Sequence, residues 1–304
     1  MTDQLLDRTS CPLCMTSDVR QFSNLDGFRS SICNACGFMF VRDVATASKL
    51  NEFYENGYCN ERQKLGQKVN ATVNGNVFRR FIPSPESKSI LDVGSGYGFF
   101  LDLLRDIGLS RRVGIELSNH ERRYARTQFD HELYGNIIEM SDDDRFDVIT
   151  LFEVIEHIPD PVAFIKALRH HLKPDGTIII GTDNFASSVA RKLGDRFPKW
   201  IPHEHISYFT PETLCSLITS HTDLELFGNI SFTPWELYAH QMLYIVTMGR
   251  LGGIIYSNNE QMASSNRPYR NFALRLLFNK FWFNFMKDDN LEGEMMYIAA
   301  KAQK

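Results

Sequence analysis

The sequence predicts an α/β protein whose mostly parallel sheet is covered by helices on both faces, with a zinc ribbon before it and a helical insertion ahead of its last strand. Three observations predict it. Ile90-Leu91-Asp92-Val93-Gly94-Ser95-Gly96-Tyr97-Gly98-Phe99 reads as a buried strand breaking into a glycine turn that opens a helix. Apolar strand patterns alternate with helical ones from Ser89 to Gly181. Cys11-Pro12-Leu13-Cys14 and Cys33-Asn34-Ala35-Cys36 form two knuckles separated by an 18-residue loop.

Composition sets the bounds. A chain of 304 residues with 43% hydrophobic and 23% charged residues has a real core and room for one large domain and a small one. Its net charge of −4 gives no general attraction to nucleic acid or to an anionic membrane. Met1-Thr2-Asp3-Gln4-Leu5-Leu6-Asp7 lacks the features of a signal peptide, and no stretch reads as a membrane span; a cytoplasmic protein is expected.

Residues 1–45 form the expected ribbon. The thiolates of Cys11, Cys14, Cys33 and Cys36 can surround one structural Zn²⁺ tetrahedrally, and a reducing compartment disfavours the disulfide alternative. The module carries Arg8, Arg20, Arg29 and Arg42 against Asp3, Asp7, Asp18, Asp26 and Asp43, so it offers no basic face for phosphates. No nucleic-acid partner is expected, and a role in docking on the catalytic domain and shaping the substrate mouth is. Cys59 and Cys215 stand apart, the latter as a small core residue.

Residues 46–85 form a connector, tyrosine-bearing over Asn51–Asn60 and then helix-compatible to Phe81, until Pro83-Ser84-Pro85 stops the helix. The catalytic unit is expected over 86–304. Its strands read at Ser89–Val93, Arg112–Glu116, His131–Tyr134, Phe146–Phe152 and Thr177–Gly181, with helices at Tyr97–Ile107, Asn119–Thr127 and Pro161–His171. Lys173-Pro174-Asp175-Gly176 reads as the turn feeding the fifth strand. Leu224–Phe232 and Glu294–Lys301 are two later strands.

The glycine turn is followed 18 residues after Gly98 by Glu116, at a strand end where a carboxylate accepts hydrogen bonds from ribose hydroxyls. Both a dinucleotide and S-adenosylmethionine fit that much. Asp92-x-Gly94-x-Gly96-x-Gly98, the strand ending in Glu116 and the segment Phe146 to Pro161 together resemble the class I S-adenosylmethionine-dependent methyltransferases. The resemblance implies a Rossmann-like seven-stranded sheet with Leu224–Phe232 and Glu294–Lys301 antiparallel. It also implies that Gly94 and Gly96 pass under the methionine part, Asp92 orders its amino group, Glu116 holds the ribose and Leu117 packs on adenine. Asn136 and Ile137 take the positions that contact the adenine edge and face, and Ser95 and Phe152 complete the set.

Methyl transfer from a sulfonium requires alignment and removal of a proton from a weak nucleophile, so histidines near the methyl are the candidate bases. Glu204-His205-Ile206-Ser207-Tyr208-Phe209 and Glu156-His157-Ile158-Pro159-Asp160-Pro161, with the ribbon and connector, are similar to segments of methyltransferases of nucleotide-activated and surface-glycan sugars. That resemblance implies a sugar as substrate, His205 as base or orienting residue with Glu204 and Tyr208 around it, and His157 as the competing base. Ubiquinone-type O-methyltransferases share Glu-x-x-Glu-His, here Glu153, Glu156 and His157, which implies a quinone or phenol acceptor and a divalent metal as an alternative. RNA methylation and a catalytically silent scaffold are the remaining readings. The aromatic insertion, about residues 233–290, presents Trp235, Tyr238, Met242 and Ile245 on one helical face and Leu274, Leu277, Phe278, Phe281, Trp282 and Phe285 on another; a lid, a homodimer contact and peripheral membrane attachment are all open to it.

Overall fold

The computed structural model describes residues 5–25, 27–46, 61–234, 283 and 287–303. The connector around Asn51–Asn60, Cys59 and both aromatic stripes of the insertion lie outside the described residues.

Strands β1 (Leu5–Asp7), β2 (Val19–Leu25), β3 (Phe28–Cys33), β4 (Met39–Val41) and β5 (Asp43–Ala45) build the N-terminal module. β1 pairs with β5, while β2, β3 and β4 form an antiparallel meander. Helix α1 (Glu61–Phe81) then leads to the main domain, which runs β6 (Ser89–Val93), α2 (Phe99–Leu103), β7 (Arg111–Ile115), α3 (Asn119–Phe129), β8 (Glu132–Tyr134), β9 (Phe146–Phe152), α4 (Pro161–His170) and β10 (Leu172–Asp183). After α5 (Ser188–Leu193) come β11 (Ser207–Tyr208), α6 (Pro211–His221), β12 (Leu224–Phe232) and β13 (Met295–Ala302).

Seven strands form one sheet in the order β12-β13-β10-β9-β6-β7-β8. Its β10-β9-β6-β7-β8 portion is parallel, and β13 runs antiparallel between β10 and β12. The expected Rossmann-like methyltransferase sheet is therefore present. Alternation along each strand assigns the two cores: Leu91, Ile149, Ile178 and Ile180 meet α4 and α6, whereas Ile90, Val148 and Ile179 meet α1 and α2.

Local chemistry sets the helix starts. Ser118 accepts the Glu121 N–H at 3.3 Å, Asp160 accepts the Ala163 N–H at 2.9 Å with Pro161 next in line, and Thr210 and Thr213 form a capping box before Pro211. Two expectations change. The helix expected over Tyr97–Ile107 is only Phe99–Leu103, because Gly98 enters it in left-handed conformation at φ 79° and the chain turns out at Leu104 toward Gly108. The turn expected at Lys173–Gly176 lies inside β10, as a bulge between Leu172 opposite Phe146 and Thr177 opposite Val148, with Asp175 at φ 59°.

β11 pairs with β4, so the N-terminal sheet ends in a strand drawn from the segment after β10. Phe38 and Phe40 are buried beside Phe209, with the Phe38 and Phe209 centroids 5.0 Å apart. Leu91, wholly buried in the central strand, tests this core: Leu91→Ala is expected to lower stability by about 2–5 kcal/mol in urea unfolding.

Candidate active site

A cavity of about 380 Å³ opens at the carboxyl ends of β6, β7 and β9, where the strand order reverses. The last carbonyl of β7 builds its floor: Ile115 accepts the Gly94 N–H at 2.8 Å and the Ser95 N–H at 3.0 Å. Gly94, Gly96 and Gly98 all have positive φ. A Cβ on Gly96 would collide with Gln67 Oε1 and one on Gly94 with Val154, so the close approach itself requires glycine there. Glu116 closes the turn, its two oxygens accepting the Gly96 N–H at 2.9 Å and the Ser118 N–H at 2.8 Å.

Of the expected cofactor residues, Asp92, Gly94, Ser95, Gly96, Glu116, Leu117, Asn136 and Phe152 line this cavity. Ile137 does not: it is half-buried against the core below. Sequence reasoning missed the contribution of α1, which turns Gln67, Asn70, Ala71 and Asn74 into the cavity. The signal was present as polar amides at i, i+3 and i+7 on one helical face. Gln67 accepts the Tyr97 N–H and donates to Glu121, both at 2.9 Å, and Asn70 donates to Glu153 at 2.6 Å.

The lining is acidic. Among the described residues it includes Asp92, Glu116, Glu121 and Glu153 and no lysine or arginine. Burial pushes the Asp92 carboxyl up to about 7 against the opposing bond from Thr150, with Glu116 adding to the rise. Burial likewise raises Glu116, opposed by the Ser118 and Gly96 N–H groups, and burial plus Glu116 pushes Glu121 up to about 8. Glu153, just past β9, is held at φ 58°, a strained conformation for a side-chain-bearing residue at the cavity wall.

At the other end His157, Ile158 and Pro159 form the wall. His157 Nδ1 lies 2.8 Å from the Glu204 carbonyl, which can only accept, so Nδ1 carries the proton and Nε2 keeps its lone pair. Burial holds this imidazole below its ordinary pKa, against the raising influence of Glu204, Asp183 and Glu153. His205, expected as the base, is buried behind His157, with ring centroids 4.9 Å apart, and does not line the cavity. Its Nδ1 is 3.3 Å from Asp183, whose other oxygen is 3.0 Å from Lys199 Nζ. Glu204 reaches His157 through its backbone, and Tyr208 is buried against Phe185 and Trp200; neither lines the cavity.

The divalent-metal alternative required Glu153, Glu156 and His157 to converge. They do not. Glu153 is bonded by Asn70 and Glu156 by Thr182 at 2.8 Å; among the described residues the carboxylate and histidine set whose ligand atoms lie within 4.8 Å of one another is Glu156, His157 and His205. The four cysteines do converge: Cys11 and Cys36 sulfurs are 3.6 Å apart and Cys14 and Cys33 sulfurs 3.5 Å.

A glycine turn hung on β7, a buried carboxylate at the strand end and an acidic cavity at the switch point define a class I S-adenosylmethionine-dependent methyltransferase architecture. A family model described as a methyltransferase domain matches residues 51–226, and the chain belongs to that family. Similar curated proteins include the mitochondrial ubiquinone biosynthesis O-methyltransferase of Dictyostelium discoideum, 30% identical over 46% of this chain and 52% of that protein. The ubiquinone biosynthesis O-methyltransferase of Idiomarina loihiensis is 31% identical over 42% of this chain and 58% of its own. The chain thus spans about half the length of these curated relatives. Among solved structures, an S-adenosylmethionine-dependent methyltransferase of Thermotoga maritima superposes with a TM-score of 0.53 at 17% identity, covering 83% of this chain and 98% of that one. A chain from the complex of the Haloferax volcanii Trm112 methyltransferase activator with a methyltransferase gives 0.52 at 14% identity, with 84% and 98% covered. Glu116→Ala is expected to weaken S-adenosylmethionine binding by about 1.5–3 kcal/mol in calorimetry, as charge-assisted hydrogen bonds are lost.

Proposed function

We propose that this protein transfers a methyl group from S-adenosylmethionine to a hydroxyl of a small aromatic acceptor of the quinone-precursor class. The observation that carries the reading is the cavity itself, which among the described residues is lined by Asp92, Glu116, Glu121 and Glu153 and by no lysine or arginine. A cavity of that charge suits a cofactor bearing a sulfonium and an ammonium, and repels the pyrophosphate of a dinucleotide. When bound, S-adenosylmethionine supplies an electrophilic methyl group. Each Glu116 oxygen accepts one backbone bond and retains a lone pair for a ribose hydroxyl. Asp92 would hold the cofactor's amino group, and Leu117 and Asn136 would flank its adenine.

Support for an aromatic acceptor comes from the names of the relatives and from the apolar wall of Phe100, Phe152, Ile158 and Pro159. His157 does the proton work. With Nδ1–H tied to the Glu204 carbonyl, its Nε2 accepts the acceptor's hydroxyl proton as the oxygen attacks. The nucleotide-sugar acceptor expected from the His205 segment has less support, since His205 stands behind His157. The four cysteines fit one structural Zn²⁺, because a tetrahedron of sulfurs at about 2.3 Å from the ion has edges close to the two separations above.

Incubation with labelled cofactor and panels of catechols, nucleotide sugars and RNA tests the reading by product mass. Methylated catechol is the expected outcome, and methylation of a nucleotide sugar or RNA alone overturns it. His157→Ala is expected to cut turnover about 10²–10⁴-fold while cofactor affinity stays nearly unchanged. The pH dependence has a defined sign. Only neutral His157 accepts a proton and its pKa is lowered, so kcat should be level near neutrality and fall only at pH values below the ordinary histidine range. Elemental analysis should find about one zinc per chain, and Cys33→Ser should lower the melting temperature.

A further inference from the structure

Arg8 lies in the N-terminal module, directly after β1, yet its side chain reaches Pro159, a residue of the cavity wall. Its Nε donates to the Val41 carbonyl at 2.9 Å, Nη1 to the Pro159 carbonyl at 3.1 Å and Nη2 to the Ile206 carbonyl at 2.7 Å. Its own N–H bonds the Arg42 carbonyl at 2.9 Å, and its guanidinium lies 5.4 Å from the centre of the Phe40 ring. Among the described residues no carboxylate forms an ion pair with it. One side chain thus joins three separate segments through carbonyls alone.

Two of those segments carry the site. Pro159 is gripped from outside by its carbonyl while the residue forms cavity wall, next to Ile158 and two residues from His157. Ile206 is the hub of the other. Its carbonyl takes the Val41 N–H at 3.0 Å as well as Arg8, and its N–H donates to the Glu156 carbonyl at 2.9 Å. Two residues earlier in the chain, the Glu204 carbonyl holds His157 Nδ1. Displacement of either gripped carbonyl therefore moves a neighbour of His157.

We propose that Arg8 is a positioning residue for the proposed methyl transfer, its planar fork fixing the Pro159 and Ile206 carbonyls so that His157 is held at the cavity wall. The proposal rests on His157 as the base. Lysine cannot replace the fork, because one ammonium on a flexible stem does not reach three carbonyls in fixed directions. A misplacement of about 1 Å costs a reaction up to 10²-fold, so a residue far from the chemistry can govern its rate. The cofactor half of the cavity, built on β6, β7 and α3, has no bond to Arg8 among those described.

Arg8→Ala and Arg8→Lys in the full chain test this by separating turnover from cofactor binding. Expected are a kcat lowered about 10–10²-fold in Arg8→Ala, S-adenosylmethionine affinity within about twofold of the parent, partial recovery with guanidinium at sub-denaturing concentration, and an intermediate deficit in Arg8→Lys. Unchanged kcat, or parallel loss of turnover and cofactor affinity, overturns the proposal. Should Arg8→Ala not fold, Arg8→Lys is read by the same criteria. Hydrogen exchange supplies an independent measure if the parent methylates no catechol: faster exchange of the Ile206 and Val41 N–H groups in the variants supports the positioning role, and unchanged protection overturns it. Failure of the proposed reaction shows instead as absent turnover in the parent with that exchange difference intact.

Discussion

The Glu116 carboxylate is the point on which the catalytic half depends. It is buried, and removing such a charge from water is costly unless hydrogen bonds compensate. Here the compensation comes from the N–H groups of Gly96 and Ser118, one in the glycine turn and the other at the N-cap of α3. A single side chain thereby joins the two βα corners that face each other across the cavity mouth. With Gly94 and Ser95 also bonded to the Ile115 carbonyl, the end of β7 dictates the path of the turn after β6.

The acceptor half depends on a different device. No βα corner fixes Glu204 to Ile206; the segment is placed by backbone bonds to Glu156 on one side and by Val41 and Arg8 on the other, and it continues into β11 as an added strand on β4. The N-terminal module therefore acts as a surface against which a loop of the main domain is ordered. Its cysteines lie on that module rather than at the cavity, and among the described residues it reaches the neighbours of His157 through the Val41 N–H and the Arg8 side chain.

The parts legible in the sequence were those with local causes. Glycines at 94, 96 and 98, the strand ending at Glu116, the proline-marked helix starts of α4 and α6 and the paired cysteines each carry their own signature, and the sheet followed from alternation of apolar strands with helices. Illegible parts had tertiary causes. The Lys173–Gly176 turn chemistry is real, but β9 and β13 hold the chain in the sheet on either side of it, so it becomes a bulge. The amides of Gln67, Asn70 and Asn74 belong to a helix whose pattern shows amphipathicity without showing what lies opposite. His157 and His205 were both singled out, and only packing orders them, because the Glu204 carbonyl and the Asp183 carboxylate that orient them come from distant parts of the chain.

The division of charge between the two halves has a chemical consequence on the proposed reaction. Methyl transfer converts a sulfonium into a neutral thioether, so the acidic lining loses one of the positive charges it faces at the moment of reaction. Two of its carboxyls, Asp92 at about 7 and Glu121 at about 8, already bind protons readily because burial disfavours their charged forms. Loss of the cation raises that tendency further, and attraction for the spent cofactor falls below that for the fresh one. On the proposed reaction the same lining thus discriminates against the product without any change of shape, while His157 would take up the acceptor's proton at the wall it forms with Ile158 and Pro159.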